Sequence, residues 1–255
     1  MRSLQGSIRR VFHHIDYIMG LQARLLYIFT VIFAVIVSYA FYTSPGLAIS
    51  MLPFVFLIYA AMVSALATEP IDEVSKGTIQ VYLATGLTRE EYYEAWLLGG
   101  IAFQTLVFVL IYCIPAFIIN PRIFFIIPSN YGLSVPMGSL IVVGALQITY
   151  YGATAMTVGA LTKKRSLAVL SVFLLMVIIP FLVGIILSIL APDSAEYITY
   201  FVMLFCNQLF YTGMTSYNNI GVFGLNPVIE SIIVLVVLDV VLILISNVVW
   251  RRIEI

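Results

Sequence analysis

Long apolar runs dominate the chain, and short segments with turn residues separate them. Six runs have about the length of 20 residues that an α-helix needs to cross a bilayer. They cover Leu25–Tyr42, Leu47–Thr68, Ala95–Ile119, Val135–Thr162, Ser166–Ala191 and Val228–Trp250. The runs are continuous, whereas the strands of a membrane β-barrel alternate apolar and polar residues. The pattern therefore predicts an all-α polytopic membrane protein with six transmembrane helices in a single domain, residues 1–255.

Residues 1–22 carry a different pattern, in which apolar residues recur at helical spacing. The steps of four, three, four and three place the following residues on one face: Leu4, Ile8, Val11, Ile15 and Ile18. Charged and polar residues fall largely on the other sides. This predicts an amphipathic helix that lies in the membrane interface and contacts membrane lipids. The alternative is a soluble helix packed against the cytoplasmic side of the protein.

A further apolar segment, Tyr197–Thr212, precedes the last span. It is short and contains Asn207 and Gln208. A segment too short to span as one helix leaves non-helical backbone at membrane depth, and such backbone is tolerated only where protein or water covers it. Residues 192–227 are therefore predicted to form an external re-entrant or interfacial pair of short helices. The alternative is a seventh span.

Composition and charge agree with a membrane protein and orient it. The chain is 62% hydrophobic and 9% charged, whereas soluble domains carry about 25% charged residues. With six spans and the N-terminus inside, Arg122 is the only Lys or Arg in the sequence that lies outside. The positive-inside rule thus predicts a multi-pass protein of the cell membrane with both termini cytoplasmic. Lys163–Arg165 either contact anionic lipids or only fix this topology. The net charge of zero does not suggest a nucleic-acid partner.

One charge-rich stretch, Glu69–Glu94, interrupts the apolar pattern between the second and third spans. It holds eight charged residues: Glu69, Asp72, Glu73, Lys76, Arg89, Glu90, Glu91 and Glu94. Pro70–Leu83 is predicted to be one short helix, with a shared face formed by Ile71, Val74, Thr78, Val81 and Tyr82. Ala84–Gly86 is the predicted break, and Thr88 with Glu91 forms a capping box that starts the next helix. Such a folded helix–turn–helix is suited to docking a soluble partner, and the alternative is a solvated linker.

Two motifs in this stretch carry a resemblance to a known family. They are E-x-x-x-G-T-I-x-x-Y-L at Glu73–Leu83 and G-L-T-R-E-E at Gly86–Glu91. They resemble the cytoplasmic loop of type-2 ABC transporter permeases, the exporter-type membrane subunits of ATP-driven pumps. The predicted order of spans, loop and external region is similar to theirs over nearly the whole chain. Many members carry a lysine near the start of the third span, where this chain has Glu94–Trp96.

The resemblance implies a membrane permease that forms the translocation path while a separate ABC ATPase subunit binds ATP and Mg²⁺. The loop would be a coupling helix that docks this ATPase through Asp72, Glu73, Lys76, Gly77, Thr78 and Gln80. A second permease copy or a paralogue would complete the transporter. The three lysines of the chain do not follow a glycine, as the lysine of a phosphate-binding P-loop does. The chain is accordingly expected to hold no cofactor of its own and not to be an enzyme.

Asp239 is the charged residue nearest the middle of a predicted span. An intramembrane carboxylate suggests function by default, and three interpretations remain open: a proton or cation site, a substrate contact, or a neutral interhelical hydrogen bond. Gln147, Tyr151 and Gln104 either line a translocation path with it or hydrogen-bond between helices. The alternative function is therefore a secondary transporter, driven by an ion gradient, that uses Asp239.

Overall fold

The computed structural model describes residues 68–84, 86, 88–97, 137–208, 211–212 and 221–252, together with isolated helical positions between 28 and 43 and between 105 and 121. Helices, turns and short loops make up this described part, which contains no strand. We number its helices α1 (Glu69–Ser75), α2 (Ile79–Ala84), α3 (Arg89–Trp96), α4 (Met137–Thr162), α5 (Arg165–Leu190), α6 (Pro192–Cys206) and α7 (Pro227–Arg252). The predicted interfacial helix, residues 1–22, lies outside the described residues.

Three helices in the described part are long and apolar enough to cross a membrane. They are Ile141–Thr162 within α4, the whole of α5 and the whole of α7. Their bounds lie close to those of the last three predicted spans. The all-α class and the membrane-type composition of the chain are thus confirmed for this part. The first predicted span is described only at isolated helical positions, the third at residues 95–97 and at isolated helical positions, and of the second only Thr68 is described.

The core of the described part lies between α4 and α7, which pack along each other. In the apolar segment of α4 that could cross a membrane, 72% is buried, compared with 33% in that of α7 and 17% in that of α5. Small residues make this possible, because Ala145, Ala153, Ala155 and Gly159 let a neighbouring helix approach closely. α5 packs against α4 at its start and against α6 in its second half.

A π-helical turn, Leu174–Ile178, interrupts α5 just before Pro180. In a regular α-helix the N–H of residue 180 would bond the carbonyl of Met176, but proline has no N–H. The Met176 carbonyl instead accepts a hydrogen bond of 2.9 Å from Nδ2 of Asn207. The proline therefore frees a carbonyl that α5 uses to hold the chain that follows α6.

Between α5 and α7 the described chain forms one helix, α6, of 15 residues. This is shorter than the about 20 residues that a span requires, and α6 is not among the helices able to cross a membrane. The helix ends at Asn207, whose φ of −148° and ψ of 79° leave the helical region. Helical turns resume at residues 208 and 211–212.

Candidate functional site

The charged loop contains two helices where the sequence predicted one. α1 begins with Pro70 in its first turn, as expected. Gly77 then adopts a φ of 73°, in the left-handed region that glycine enters without steric cost. The prediction of a single helix over Pro70–Leu83 is therefore wrong, because Gly77 ends α1 and α2 starts only at Ile79.

The break changes which residues share the apolar face of the loop. Ile71 and Val74 are buried as predicted, and Ile79 joins them with 1% exposure. Val81 is 66% exposed and Thr78 is also exposed. These two were assigned to the wrong face, because the turn at Gly77 resets the helical phase on which the prediction relied.

The predicted start of α3 is confirmed in its details. The Thr88 side chain accepts a hydrogen bond of 3.2 Å from the backbone N–H of Glu91. The Glu91 carboxylate accepts one of 2.8 Å from the backbone N–H of Thr88. This reciprocal capping box satisfies two donors that a helix start otherwise leaves unbonded. Of the predicted break at Ala84–Gly86, Ala84 is still the last residue of α2, and Gly86 leaves the helical region with a φ of 85°.

Glu73 holds the two halves of the loop together. Its side chain is buried, and the hydroxyl of Tyr92 on α3 donates to its Oε2. Burial raises the pKa of Tyr92, and the neighbouring Glu73 carboxylate raises it further. The pKa of Tyr82 is raised to about 12, mainly by burial and secondly by Glu73. Both tyrosines therefore remain neutral at physiological pH, and Tyr92 keeps the proton that it donates to Glu73.

The other predicted docking residues differ in exposure. Lys76, Thr78 and Gln80 are exposed, and Gly77 is half-buried at the turn between them. Asp72 is half-buried and forms an ion pair of 3.7 Å with Lys76. We call the exposed surface of this turn and of α2 the loop edge, formed by Lys76, Thr78, Gln80, Val81 and Ala84.

The opposite side of the loop is fastened to the start of α5. Arg165 forms ion pairs of 3.0 Å with both Glu69 and Asp72 of α1. All three side chains are partly exposed, so each pair contributes about 0–1 kcal/mol. From sequence, Arg165 was expected only to fix the topology or to contact lipid. Its ion pairs with Glu69 and Asp72 were not predicted, because these residues are distant from it in the chain.

A second attachment joins α1 to α4 at Gly159. A Cβ built on Gly159 would overlap Cδ1 of Ile71 and would lie 2.8 Å from its Cγ1 and 3.2 Å from Cβ of Ala168. Ile71 is only 2% exposed, so it fills the space that the glycine leaves. A side chain at position 159 would require the buried Ile71 side chain, or α1 itself, to shift.

A third attachment joins α3 to the end of α7. The Trp250 ring stacks on Tyr93 with centroids 5.6 Å apart and contacts Tyr92 at 6.2 Å. Nε of Arg251 lies 2.9 Å from Oε1 of Glu90. Trp250 is 1% exposed, so the aromatic contact is part of the packed interior. The loop is thus held by α4, α5 and α7 together.

Two of the predicted path residues belong to a hydrogen-bonded cluster. Nε2 of Gln147 donates to the hydroxyl of Tyr151 and, at 3.0 Å, to Oδ1 of Asn207. The Tyr151 hydroxyl donates to the Cys206 carbonyl at 3.0 Å. This cluster joins α4 to the end of α6, and through Asn207 to the π-helical turn of α5. Gln104, the third of these residues, lies outside the described residues.

Oδ1 of Asp239, in the middle of α7, is not hydrogen-bonded to that cluster. Asp239 is 6% exposed, and its Oδ1 has no hydrogen-bond partner within the described part of the chain. The same holds for both amide atoms of Gln208, which is 0% exposed. A buried polar group left unbonded costs about 1–3 kcal/mol.

Glu230, near the start of α7, is a buried carboxylate that the sequence analysis did not single out. It is 2% exposed, and its Oε1 accepts bonds of 2.8 and 2.9 Å from the backbone N–H groups of Phe223 and Leu225. The Tyr211 hydroxyl donates to its Oε2, which a Cβ on Gly221 would overlap. The sequence pattern that could have indicated Glu230 is an acidic residue in the first turn of a helix, just after a glycine-containing loop.

No protein-family model matches the chain, and no curated protein matches it. In the part of the chain that the structure describes, no group of three or more His, Cys, Asp or Glu side chains could hold a metal ion. The charged loop and the buried polar residues of α4 and α7 are therefore the features that bear on function.

Proposed function

We propose that the chain is the membrane permease subunit of an ATP-driven exporter of the type-2 ABC transporter class. In this proposal six spans form the translocation path, both termini are cytoplasmic, and residues 192–227 form the external re-entrant region. A separate ABC ATPase subunit binds ATP and Mg²⁺ and docks on the charged loop. A second permease copy or a paralogue completes the transporter in the cell membrane.

The observation that supports this proposal is the way the charged loop is built. A linker between two spans needs neither a capping box nor a buried carboxylate, and this loop has both. It is attached to α4 through Gly159, to α5 through Arg165 and to α7 through Trp250. A force applied to such a loop reaches three spanning helices, which is what coupling to an ATPase requires.

The loop edge is the surface that we assign to the ATPase. Lys76, Thr78 and Gln80 offer one charge and two hydrogen-bonding side chains beside the apolar Val81. Interfaces of this type combine an apolar centre with a polar rim. Glu73 takes an internal role in this proposal, since its carboxylate is buried against Tyr92. Asp72 and Gly77 position the loop edge, Asp72 through its ion pair with Lys76 and Gly77 through the turn that it forms.

The test is purification of the tagged chain from its native host in mild detergent, with mass spectrometry of the proteins that accompany it. We expect a stoichiometric ATPase with the unmodified chain and its loss with Thr78→Arg plus Gln80→Arg. The matched control is Ser194→Arg plus Glu196→Gln, which also raises the net charge by two at exposed positions, on α6, and should retain the ATPase. A well-folded chain that brings down no ATPase would contradict the proposal.

Asp239 favours a second candidate, a secondary transporter driven by an ion gradient. A buried carboxylate oxygen without a protein partner in the described part is the type of group that binds a transported proton or cation. Transport assays in proteoliposomes separate the two candidates. Uptake that follows an imposed ion gradient, needs no ATP and is lost in Asp239→Asn would favour the secondary transporter.

A further inference from the structure

One face of α7 is buried along most of its length. Its buried residues recur at steps of four, four, seven and four, which places them on one side of the helix. They are Ser231, Leu235, Asp239, Ser246 and Trp250. The opposite side carries Val240, Leu244 and Val248, which are 52%, 61% and 48% exposed. The buried side therefore faces protein and the other side faces outward.

The half of this buried side that begins at Asp239 is unusual in its hydrogen bonding. Its buried atoms without a partner in the described part are Oδ1 of Asp239, Oγ of Ser246 and Nε1 of Trp250. Oδ1 of Asn247, about 100° round the helix from Ser246 at the edge of this side, also lacks a partner there. We call these four residues the inner polar face of α7. Tyr93 of α3 extends it, because its hydroxyl faces Ser246 and yet has no partner in hydrogen-bond geometry.

These atoms account for most of the unsatisfied polar groups in the described part. Seven buried side-chain atoms there lack a partner, and all but the two amide atoms of Gln208 belong to the inner polar face and Tyr93. Buried polar groups in proteins are nearly always bonded, either to protein or to ordered water. A concentration of exceptions along one helix therefore indicates a shared partner.

Water fits this row better than a direct contact or an ion. The row mixes donors, such as Nε1 of Trp250, with acceptors, such as Oδ1 of Asp239, and water serves both. At 1.5 Å per residue, the eleven residues from Asp239 to Trp250 span about 16 Å. Water molecules that hydrogen-bond to one another at about 2.8 Å would cover this distance with a file of five or six.

We propose that the inner polar face of α7 binds a file of water molecules that enters at the Trp250 end of the helix and reaches Asp239. The file satisfies the unbonded side chains, each of which supplies one of the two to four polar partners that a buried water needs. Asp239 is then hydrated, and its water exchanges with the solvent at one face of the membrane. It does not form a hydrogen bond to another helix that excludes water. The permease proposal does not require this, and the secondary-transporter proposal requires aqueous access to Asp239 but not its path along α7.

Cysteine accessibility tests the file directly. In a chain with Cys113→Ala and Cys206→Ala, placed in lipid nanodiscs, we compare Ser246→Cys with Leu244→Cys. The first change is nearly isosteric on the inner polar face, and the second lies at the same depth on the outward face. Because only the hydrated thiolate reacts with a small charged methanethiosulfonate, Ser246→Cys should be modified at least about tenfold faster. Equal rates at the two positions would overturn the proposal.

The direction of entry has its own test. Asp239→Cys should react with the same reagent, and adding Ser246→Leu should slow that reaction at least about tenfold, because thiolate formation depends on the water that leucine displaces. Adding Leu244→Phe on the outward face is the matched control and should change nothing. An unchanged rate with Ser246→Leu would mean that water arrives from the other end, and entry at Trp250 would be wrong.

A third measurement needs no variant and therefore does not depend on whether a variant folds. Radiolysis of bound water produces hydroxyl radicals that oxidise adjacent aromatic rings. Tyr93, at 0% exposure, and Trp250, at 1%, should be oxidised in the native chain. Tyr151 is also 1% exposed, but its hydroxyl is bonded to protein, and it should stay protected. Equal protection of all three rings would overturn the proposal.

Discussion

Gly159→Ala is a change for which the local and the tertiary effects have opposite signs. Inside a helix, alanine is more favourable than glycine by about 1 kcal/mol. At this position, however, the new Cβ would overlap Ile71 and come within 3.2 Å of Ala168. Ile71 is 2% exposed and has little room to move. Overpacking of this kind costs about 1–3 kcal/mol, so we expect a net loss of up to about 2 kcal/mol in the free energy of unfolding.

Gly184→Ala on α5 is the matched control. The nearest atom to a Cβ at position 184 is Cγ2 of Thr199 at 3.7 Å, an ordinary van der Waals contact. The helical preference of alanine then acts alone, and the variant should be more stable by about 0.5–1 kcal/mol. Opposite signs for the two glycines would identify the contact with α1 as the cause.

A double-mutant cycle with Ile71→Ala measures that contact. Ile71→Ala alone should cost about 2–5 kcal/mol, because it removes a buried side chain. It also removes the atoms that collide with position 159, so that Gly159→Ala should become stabilising in this background. The expected coupling energy is about 1–3 kcal/mol. Denaturant unfolding in mixed micelles supplies the free energies, and additive effects, or a stabilising Gly159→Ala in the original chain, would refute the close approach of α1 to α4.

Three further predictions concern the charged loop and the start of α7. Glu230→Ala should accelerate hydrogen exchange of the two backbone amides that donate hydrogen bonds to its carboxylate, by a factor corresponding to about 1.5–3 kcal/mol. Unchanged exchange would contradict these two hydrogen bonds. Thr88→Ala should lower the free energy of unfolding by about 1 kcal/mol while Thr88→Ser should not, because only the hydroxyl caps the helix. The raised pKa of Tyr82, about 12, means that the unfolded chain loses its phenolic proton first. The contribution of Tyr82 to the free energy of unfolding should therefore be fully present below about pH 10 and be lost between about pH 10 and 12. Tyrosinate absorbance follows this titration, with Tyr82→Phe as the control.

Local chemistry explains the parts of the structure that could be predicted from sequence. The three described spans follow from continuous apolar runs, and the start of α3 follows from Thr88 and Glu91, which are three residues apart. The boundary between α1 and α2 was missed for a local reason as well. A glycine inside a helical pattern costs only about 1 kcal/mol, so the pattern alone does not reveal that Gly77 leaves the helix.

The remaining features depend on residues that meet only in the folded chain. Arg165 and Asp72 are 93 positions apart, and Gln147 and Asn207 are 60 apart. Nothing in the apolar pattern pairs them. For the same reason the sequence grouped Gln147 with Asp239 as candidates for one path. The structure gives them different hydrogen bonding, since Gln147 is bonded within a cluster and Oδ1 of Asp239 has no partner in the described part.

The π-helical turn in α5 has a consequence for how the length of this helix can vary. Such a turn is equivalent to one residue inserted into an α-helix, and each residue advances the helix by about 100°. A one-residue deletion within Leu174–Ile178 would restore a regular ladder and rotate the segment Ile179–Leu190 by about that angle. Gly184 would then turn away from Thr199, and the second half of α5 would present the wrong side to α6. Sequences that share this fold should accept many substitutions on the outward side of α5 and very few insertions or deletions between residues 174 and 190.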